Sequence, residues 1–314
     1  MCRRAGSEVS NPVKVSVIIC TYNPMLELLH SAMASLERQT MTDFEVVVVD
    51  NNSSPPVDQV AVQRYGVTIR IVREARQGLT YARCTGIAAA GGDLLVFVDD
   101  DNYLDPDYLE QSLRIAQEEP RIGHFGGIAR VGLAKAIPHW KHKLLPYLGV
   151  RDYGPHPITS DEPRWGKWEP IGAGMVTRRR VAEHFVWLVA ERNAATLLGR
   201  RGALLLSGED TLMARAANLL GYSCSYQPAL KLTHFMKPSR LKVSVLARTI
   251  AGHGRAYVVL ERILGRPIDV PGLSWIVREL PLRLYRRVQA DGLATGAVAW
   301  FWDLGYFRQA RRPR

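Results

Sequence analysis

Three adjacent carboxylates, Asp99, Asp100 and Asp101, directly follow a continuous apolar segment of the chain. Carboxylates this close together repel one another unless a cation lies between them. Their oxygens are hard ligands of the kind that Mg²⁺ and Mn²⁺ prefer, and such ions commonly also hold substrate phosphates. The alternative is an Asx turn that caps the next helix. Asp105, immediately before Pro106, already suits that position, so the triple favours a metal site.

Other polar residues are candidates for chemistry, each with an ordinary structural alternative. Asp50 follows a run of valines and precedes Asn-Asn-Ser, so it either contacts a base or ribose or belongs to a polar turn. Glu209 and Asp210 precede a helical pattern, where acidic residues serve either catalysis or the first turn of the helix. His234 ends a short apolar segment and is either a metal ligand or a core histidine.

Short apolar strands and amphipathic helices alternate along the first hundred residues. Helices are predicted at 25–39 and 79–90, and strands at 15–20, 44–49, 67–72 and 94–98. This alternation is typical of an α/β protein with a mostly parallel sheet and helices on both faces. Ligands of such sheets bind at the carboxyl ends of the strands. The polar clusters after the first, second and fourth strands are therefore predicted to form one site.

The sequence contains no motif for several common classes of binding site. No GxGxxG follows the first strand and no GxxxxGK[ST] occurs, which disfavours a dinucleotide dehydrogenase and a P-loop NTPase. The four cysteines form no CxxC pair, which disfavours a zinc site. Residues 123–180 are predicted to be irregular and rich in Gly, Pro, His and Trp, and a long stretch of this kind is usually functional.

The 314 residues carry a formal net charge of +11, and 47% of them are hydrophobic, which is typical of a globular protein. Residues 236–314 hold 15 basic and 5 acidic side chains, and hence a net charge of +10. The rest of the chain is nearly neutral. A protein that binds along a nucleic-acid backbone would have basic residues spread over most of its surface. Because the positive charge here is confined to the last quarter of the chain, nucleic-acid binding is not predicted.

The basic C-terminal quarter is predicted to form amphipathic helices, the first weakened in its middle by Gly252 and Gly254. Its arginines and its late Trp and Phe residues suit interfacial helices on an anionic membrane, and the alternative is a subdomain packed on the preceding domain. No apolar run approaches the length of a spanning helix, and no apolar segment of a secretory signal follows Arg3 and Arg4. We therefore expect a cytoplasmic location, with peripheral contact at the cytoplasmic face of the membrane.

The successive blocks VSVIICTYN, FEVVVVDNNSS, RQGLTYAR, LLVFVDDDN, PIGAGM, GEDTLM and LTHF resemble those of the inverting family 2 glycosyltransferases of GT-A fold. The resemblance implies a Rossmann-like GT-A domain at 13–236. We expect a flexible N-terminus at 1–12 before this domain and a basic helical region at 237–314 after it. It implies a metal-dependent enzyme of surface polysaccharide or glycolipid synthesis. Its donor would be a nucleotide sugar, which we expect to be linked to UDP. Its acceptor would be a saccharide or a lipid-linked molecule.

The resemblance also implies roles for individual residues. Asp99 and Asp101 would hold Mn²⁺ or Mg²⁺, with His234 as a further ligand, and Asp210 would be the catalytic base, with Glu209 beside it at the acceptor. The residues implied in binding the nucleotide sugar are Thr21, Tyr22, Asn23, Asp50, Gly78, Arg83 and Asp100. Acceptor binding is expected near Trp168, Gly172 and Gly174, although Trp168 also suits structural packing.

Two other functions fit parts of this pattern. A sugar-activating nucleotidyltransferase also uses an α/β sheet and Mg²⁺, but it usually needs a Gly-rich basic loop where this chain has TYNPMLEL. A non-catalytic nucleotide-sugar-binding relative would have no reason to retain Asp99, Asp101, Asp210 and His234 together. A retaining hydrolase would need two carboxylates on either side of a sugar bond and no metal-phosphate site.

Overall fold

The computed structural model describes residues 15–57, 66–133, 136–201 and 204–312, and a nine-stranded sheet lies at its centre. The predicted flexible segment 1–12 lies outside the described residues. The strands are β1 (Val15–Thr21), β2 (Glu45–Asp50), β3 (Ile69–Arg73), β4 (Leu94–Asp99), β5 (Asn102–Leu104), β6 (Ile122–Gly132), β7 (Ile158–Ser160), β8 (Val176–Arg178), β9 (Arg200–Arg201), β10 (Leu204–Leu205) and β11 (Ser223–Phe235). Strands β9 and β10 form a separate two-stranded sheet.

The sheet has the order β3-β2-β1-β4-β8-β6-β11-β5, and β7 pairs with β11. Strands β3, β2, β1 and β4 are mutually parallel, as are β6 and β11. Strand β8 lies antiparallel between β4 and β6 and so joins the two parallel groups. The predicted α/β sheet is confirmed, with antiparallel pairs added at its centre and edge.

Ten α-helices are described, together with 3₁₀ helices at His139–Leu148 and Pro238–Leu241. The α-helices are α1 (Leu26–Glu37), α2 (Leu79–Ala89), α3 (Tyr108–Glu118), α4 (Arg179–Glu191), α5 (Ala194–Leu197), α6 (Glu209–Leu219), α7 (Val243–Ile263), α8 (Leu273–Asp291), α9 (Leu293–Ala299) and α10 (Phe301–Ala310). Because successive strand residues face opposite sides, the apolar strands build one cluster with α1 and α3 and another with α2, α4 and α6.

The predicted irregular stretch 123–180 is irregular only in part, because it contains β6, β7, β8 and a 3₁₀ helix. The prediction was wrong for those elements, whereas residues 149–175 are irregular except for β7. Strand β6 is rich in glycine because neighbouring groups come very close to it. A Cβ at Gly127 would lie 2.0 Å from the carbonyl oxygen of Leu230 on β11. Glycine in a strand marks such a close approach, and it also removes the apolar alternation by which strands are recognised.

Asp105 is not the cap of the following helix, which corrects the sequence prediction. The helix α3 begins at Tyr108, and Asp107 occupies the position before it, without a side-chain capping bond. The Asp105 carboxylate instead pairs with Arg130 of β6. A charged partner on β6, which is separated from β5 by β11, therefore replaces the local capping role of this aspartate.

The C-terminal helices pack on the sheet domain and on one another. Val259, Leu260 and Ile263 of α7 belong to the hydrophobic cluster that also contains α2, α4 and α6. A third hydrophobic cluster joins α7 and α9 to the 3₁₀ helix at 139–148. Across the parts of the chain that the structure describes, no helix is both long and apolar enough to span a bilayer.

Helix α7 continues through Gly252 and Gly254, although glycine weakens helices, because α10 crosses it there. A Cβ at Gly254 would lie 2.1 Å from the carbonyl oxygen of Trp302 in α10. A Cβ at Gly305 of α10 would lie 2.1 Å from the carbonyl oxygen of Ala251. The small residues thus let the two helix backbones come into direct contact.

Replacing Gly254 with alanine is expected to lower the free energy of unfolding by about 1–3 kcal/mol, because the added methyl group overlaps the α10 backbone. Alanine otherwise stabilises a helix interior by about 1 kcal/mol relative to glycine, so a net loss isolates the packing effect. Urea unfolding measures the change. Gly66→Ala is the control, since a Cβ there makes an ordinary contact of 3.5 Å. A Gly254→Ala protein as stable as wild type would contradict the crossing.

Candidate active site

The carboxyl ends of β1, β2 and β4 meet at one edge of the sheet. The strand register places Thr21 beside Asp50 and Cys20 beside Asp99. A cavity of about 250 Å³ opens at this edge. The predicted site residues that line it are Tyr22, Arg83, Asp99, Asp100, Asp101, Gly172, Glu209, Asp210 and His234. An adjoining cavity of about 210 Å³ shares Tyr22, Asp100 and Asp101 with the first and adds Asn23.

Hydrogen bonds fix the turn that carries the three aspartates. The buried Asn102 side chain accepts from the Asp99 backbone N–H at 3.1 Å and donates to Asp101 Oδ1 at 3.1 Å. The Thr21 hydroxyl donates to Asp100 Oδ2. Burial, together with the charges of Asp101 and Asp99, raises the pKa of Asp100 to about 7. The turn therefore concentrates negative charge that a cation would stabilise.

His234 lies beside this turn because β11 pairs with β5, which places His234 opposite Asn102. Its Nε2 is 3.5 Å from Asp101 Oδ2, and its Nδ1 is 3.4 Å from the carbonyl oxygen of Gly149. An Arg240 guanidinium nitrogen lies 3.4 Å from the same Nε2. His234 is nearly buried, but it faces the cavity and a carboxylate rather than apolar neighbours alone.

The donor atoms at this edge suit a divalent ion. Asp101 and His234 bring a carboxylate oxygen and an imidazole nitrogen together, a combination that Mn²⁺ accepts. Among the described residues, no three His, Cys, Asp or Glu side chains converge closely enough to hold an ion. Mg²⁺ sites commonly have one or two carboxylates, with substrate phosphates completing the coordination. The residues present therefore fit an ion that binds together with a phosphate-bearing ligand.

Arg83 and Glu209 form a buried ion pair between α2 and α6. The Arg83 Nη1 to Glu209 Oε1 distance is 3.2 Å, and the two side chains are only 3% and 5% exposed. Burial opposes the Arg83 charge, but the Glu209, Asp99 and Asp210 carboxylates outweigh it and hold the pKa of Arg83 above its usual value. Glu209 is thus occupied in holding Arg83 at the cavity wall.

Asp210 follows in the first turn of α6 and lines the cavity. Its Oδ2 accepts the backbone N–H of Gly172 at 3.2 Å, and its Oδ1 accepts that of Thr211 at 2.8 Å. These bonds fix the orientation of the carboxylate between α6 and the Gly172 segment. The arrangement leaves an oriented carboxylate in the same cavity as the aspartate turn, where it can accept a proton from a bound hydroxyl.

Asp50 and Gly78 lie behind the cavity wall. Asp50 is 2% exposed and accepts the backbone N–H groups of Ser53 at 2.9 Å and Val57 at 3.4 Å. The Gly78 N–H donates to Asn51 Oδ1 at 2.8 Å, and its φ of 145° suits glycine. Both residues shape the loops beside the site, and their contact with a nucleotide stays a prediction.

Of the residues predicted to bind the acceptor, one lines the cavity and the other two pack outside it. Gly172 lines the cavity, whereas Gly174 packs under it, where a Cβ would lie 2.3 Å from Leu232 Cδ2. Trp168 lies outside the walls of both cavities and packs against the cluster of α2, α4 and α6. The Arg164 guanidinium lies 5.1 Å from the centre of its ring. A role of Trp168 toward an acceptor stays a prediction.

The wall residues that were not predicted from the sequence include Tyr147, Ser207, Arg240 and His253. His253 of α7 lies 3.2 Å from the Ser207 hydroxyl and 3.1 Å from the Tyr147 carbonyl oxygen. These residues lie in different segments and match no motif, so only the packing of α7 against the 3₁₀ helix brings them together. The basic C-terminal region therefore contributes to the cavity.

Comparison with known proteins shows similarity to glycosyltransferases. The model of the family described as "Glycosyl transferase family 2" matches residues 16–186. The putative glycosyltransferase EpsH of Bacillus subtilis is 32% identical over 107 residues, which are 33% of this chain and 31% of that protein. A glucosyl-dolichyl phosphate glucuronosyltransferase of Haloferax volcanii is 26% identical over 132 residues, 41% of this chain and 40% of that protein.

These matches thus span 31% and 40% of the length of the two relatives. Among solved structures, the mannosyltransferase PcManGT of Pyrobaculum calidifontis, in complex with GDP-Man and Mn²⁺, superposes with a TM-score of 0.54 at 18% identity. That likeness covers 96% of this chain and 89% of the other. The fold is GT-A, as the sequence resemblance implied. The family model covers more than half of the chain, which therefore belongs to glycosyl transferase family 2.

Proposed function

We propose that this protein is an inverting glycosyltransferase that moves a sugar from a nucleotide-sugar donor to a saccharide or lipid-linked acceptor in surface polysaccharide or glycolipid synthesis. One observation carries the proposal: the aspartate turn with His234 and the oriented Asp210 carboxylate line the same cavity. The first group suits a metal-bound diphosphate and the second suits an acceptor hydroxyl. Transfer between two ligands needs both at one place.

The donor would lie against the aspartate turn. Asp101 and His234, with Asp99 on the same wall, would hold Mn²⁺ or Mg²⁺ together with the donor diphosphate. The bound ion would stabilise the negative charge on the departing nucleoside diphosphate. Arg240 adds a permanent positive charge to the same wall, next to His234. The Mn²⁺ and GDP-Man bound to the Pyrobaculum mannosyltransferase support this class of ligand.

The nucleotide would extend from this turn toward the end of β1. Tyr22 is 46% exposed and borders both cavities, so its ring is available for stacking on a base. Thr21 holds Asp100 in place, and Asp100 then faces the ribose or the sugar. Asn23 lines the adjoining cavity, which gives the nucleotide a second polar wall.

Asp210 would act as the general base. As the acceptor hydroxyl oxygen bonds to C1 of the donor sugar, Asp210 takes its proton. The bond between C1 and the diphosphate oxygen breaks, and the nucleoside diphosphate leaves with the bonding electrons. A single displacement from the opposite face inverts the configuration at C1. Arg83, paired with Glu209, positions the start of α6 and thereby Asp210.

A panel of uridine- and guanosine-diphosphate sugars, incubated with the protein and Mn²⁺, tests the function. We expect one donor to release its nucleoside diphosphate, slowly with water and faster with an acceptor extract, as measured by mass spectrometry. The product sugar should have the anomeric configuration opposite to that of the donor. Release of pyrophosphate from a nucleoside triphosphate and a sugar phosphate would instead indicate a nucleotidyltransferase. Donor binding without any turnover would indicate a non-catalytic relative.

A further inference from the structure

Helix α8 exposes an apolar row to solvent. Val277 and Tyr285 are 77% and 61% exposed, and Pro281 lies between them at a spacing of four residues. Residues four apart lie on one face of a helix, so these three side chains form a continuous row. Leu282, which is 39% exposed, widens the apolar surface. Exposed apolar surface of this kind often marks an interaction site.

The opposite face of α8 is held firmly by the helices beneath it. Arg283 and Arg287 pair with Asp303 of α10 at 3.1 and 2.7 Å, and the Asp303 side chain is only 1% exposed. The Trp300 indole N–H donates to the carbonyl oxygen of Leu280 at 3.0 Å. The exposed apolar row therefore lies on a helix whose position is fixed. Arg283 and Arg287 form ion pairs within the protein.

A second row, adjacent to the first, carries positive charge. Arg278 and Arg286 are exposed and, with Leu282 between them, follow the same spacing of four residues. The outer surface of α8 thus pairs an apolar row with a basic row. This pairing matches the apolar interior and anionic headgroups of a lipid surface, to which each basic side chain near the surface adds affinity.

The structure moves the expected membrane contact away from the late aromatic residues. Trp302 stacks on Tyr306 at 5.7 Å between ring centres, and Phe307 stacks on Trp275 at 5.4 Å. Arg262 of α7 donates to the carbonyl oxygen of Ala310 at 2.9 Å and so caps the end of α10. These side chains stabilise the helical region internally, so the outer face of α8, with Val277 and Tyr285 more exposed than Phe301, is the stronger candidate for the contact.

Helices α8 and α9 also connect this face to the cavity. Lys143 pairs with Asp291 at the end of α8 at 2.8 Å, and the Thr295 hydroxyl of α9 donates to the Trp140 carbonyl oxygen at 2.6 Å. Both partners belong to the 3₁₀ helix at 139–148, whose end residues Tyr147 and Leu148 line the cavity. The 3₁₀ helix therefore lies between α8 and the cavity and contacts both.

We propose that α8 docks on an anionic membrane, with Val277, Pro281 and Tyr285 entering the interface and Arg278 and Arg286 meeting lipid phosphates. The docking itself follows from α8 alone. Its use, to bring a lipid-linked acceptor to the cavity, rests on the proposed glycosyl transfer. The membrane is favoured over a second copy of the chain because the basic row on a self-complementary face would repel its own copy.

Co-sedimentation of the full-length protein with vesicles tests the docking. We expect binding to phosphatidylcholine–phosphatidylglycerol vesicles and weak binding to phosphatidylcholine alone. The double variant Val277→Asp/Tyr285→Asp should lose about tenfold or more in affinity, since both apolar anchors are lost and two negative charges are added. Val243→Asp is the matched control, because Val243 of α7 is 51% exposed but lies on another helix. It should bind nearly as wild type does.

Three results would overturn the docking. The first is that the wild-type protein does not bind anionic vesicles, and the second is that the double variant binds them as well as wild type does. The third is that the wild type is a dimer in sedimentation velocity and the double variant is a monomer. Circular dichroism confirms that the variants fold. Donor hydrolysis without vesicles should be equal in wild type and double variant. Vesicle binding without any donor turnover would refute the proposed function and leave the docking intact.

Discussion

Replacing Asp210 with asparagine is expected to lower the rate of sugar transfer by about 10²–10⁴-fold, the usual contribution of a general base. The amide cannot accept the acceptor proton, but it has nearly the size of the carboxylate. Its oxygen can still accept one of the backbone N–H groups, from Gly172 or from Thr211. We therefore expect the affinity for the nucleotide donor and the melting temperature to change little.

The measurement separates transfer from binding. Initial rates of nucleoside diphosphate release give the turnover, and calorimetric titration with the nucleoside diphosphate gives the affinity. Asp161→Asn is the control, because Asp161 is an exposed aspartate outside the cavity. If Asp210→Asn turned over donor and acceptor at the wild-type rate, Asp210 would not be the base.

Replacing Asp101 with alanine is expected to weaken metal-dependent binding of a nucleoside diphosphate by about 100-fold or more. Groups that only contact metal ligands already contribute about 10–100-fold to metal affinity, so loss of a ligand should cost at least as much. Asp101 Oδ2 faces His234 Nε2 at 3.5 Å, which makes this pair the centre of the proposed ion site. The substitution also removes a negative charge, so any metal-independent binding of the diphosphate should improve.

Titration of the nucleoside diphosphate in Mn²⁺ and in EDTA distinguishes these contributions. Wild type should bind tightly only with Mn²⁺, whereas Asp101→Ala should bind weakly under both conditions. Asp107→Ala serves as control, since Asp107 precedes α3 and lies outside both cavities. Wild-type affinity that is the same in Mn²⁺ and EDTA would remove the metal from the proposal, whatever the variant does.

Glu209 and Asp210 are adjacent in sequence but differ in what surrounds them. Glu209 faces inward to the buried Arg83, and loss of one member of such a pair typically costs about 3–5 kcal/mol, because a buried charge is left alone. Asp210 bonds to backbone N–H groups and faces the cavity. The resemblance implied that Glu209 lies beside Asp210 at the acceptor. The buried ion pair instead favours a positioning role for Glu209, and we propose that Asp210 alone acts as the base.

Much of the site is determined by the sequence itself. Apolar strands such as Val15–Thr21 and Leu94–Asp99 are buried on both faces, a pattern typical of a mostly parallel sheet that helices cover on both sides. Parallel strands end at one edge, so the polar residues that follow them must lie near one another. The nearness of Thr21 to Asp100 and the nearness of both to the cavity were predictable for this reason.

Contacts between distant segments were decided only by the tertiary structure. The glycines of β6 allow β11 to come close, and they also hide the alternating pattern by which β6 could be recognised as a strand. Asp105 forms an ion pair with Arg130 on another strand and does not cap a helix. Arg240 and His253 reach the cavity only because the C-terminal region packs there. The exposed face of α8 likewise depends on which of its sides Asp303 holds. The local pattern of apolar residues indicates whether a segment is a helix or a strand. Which other segments it contacts depends on packing and charge across the whole chain.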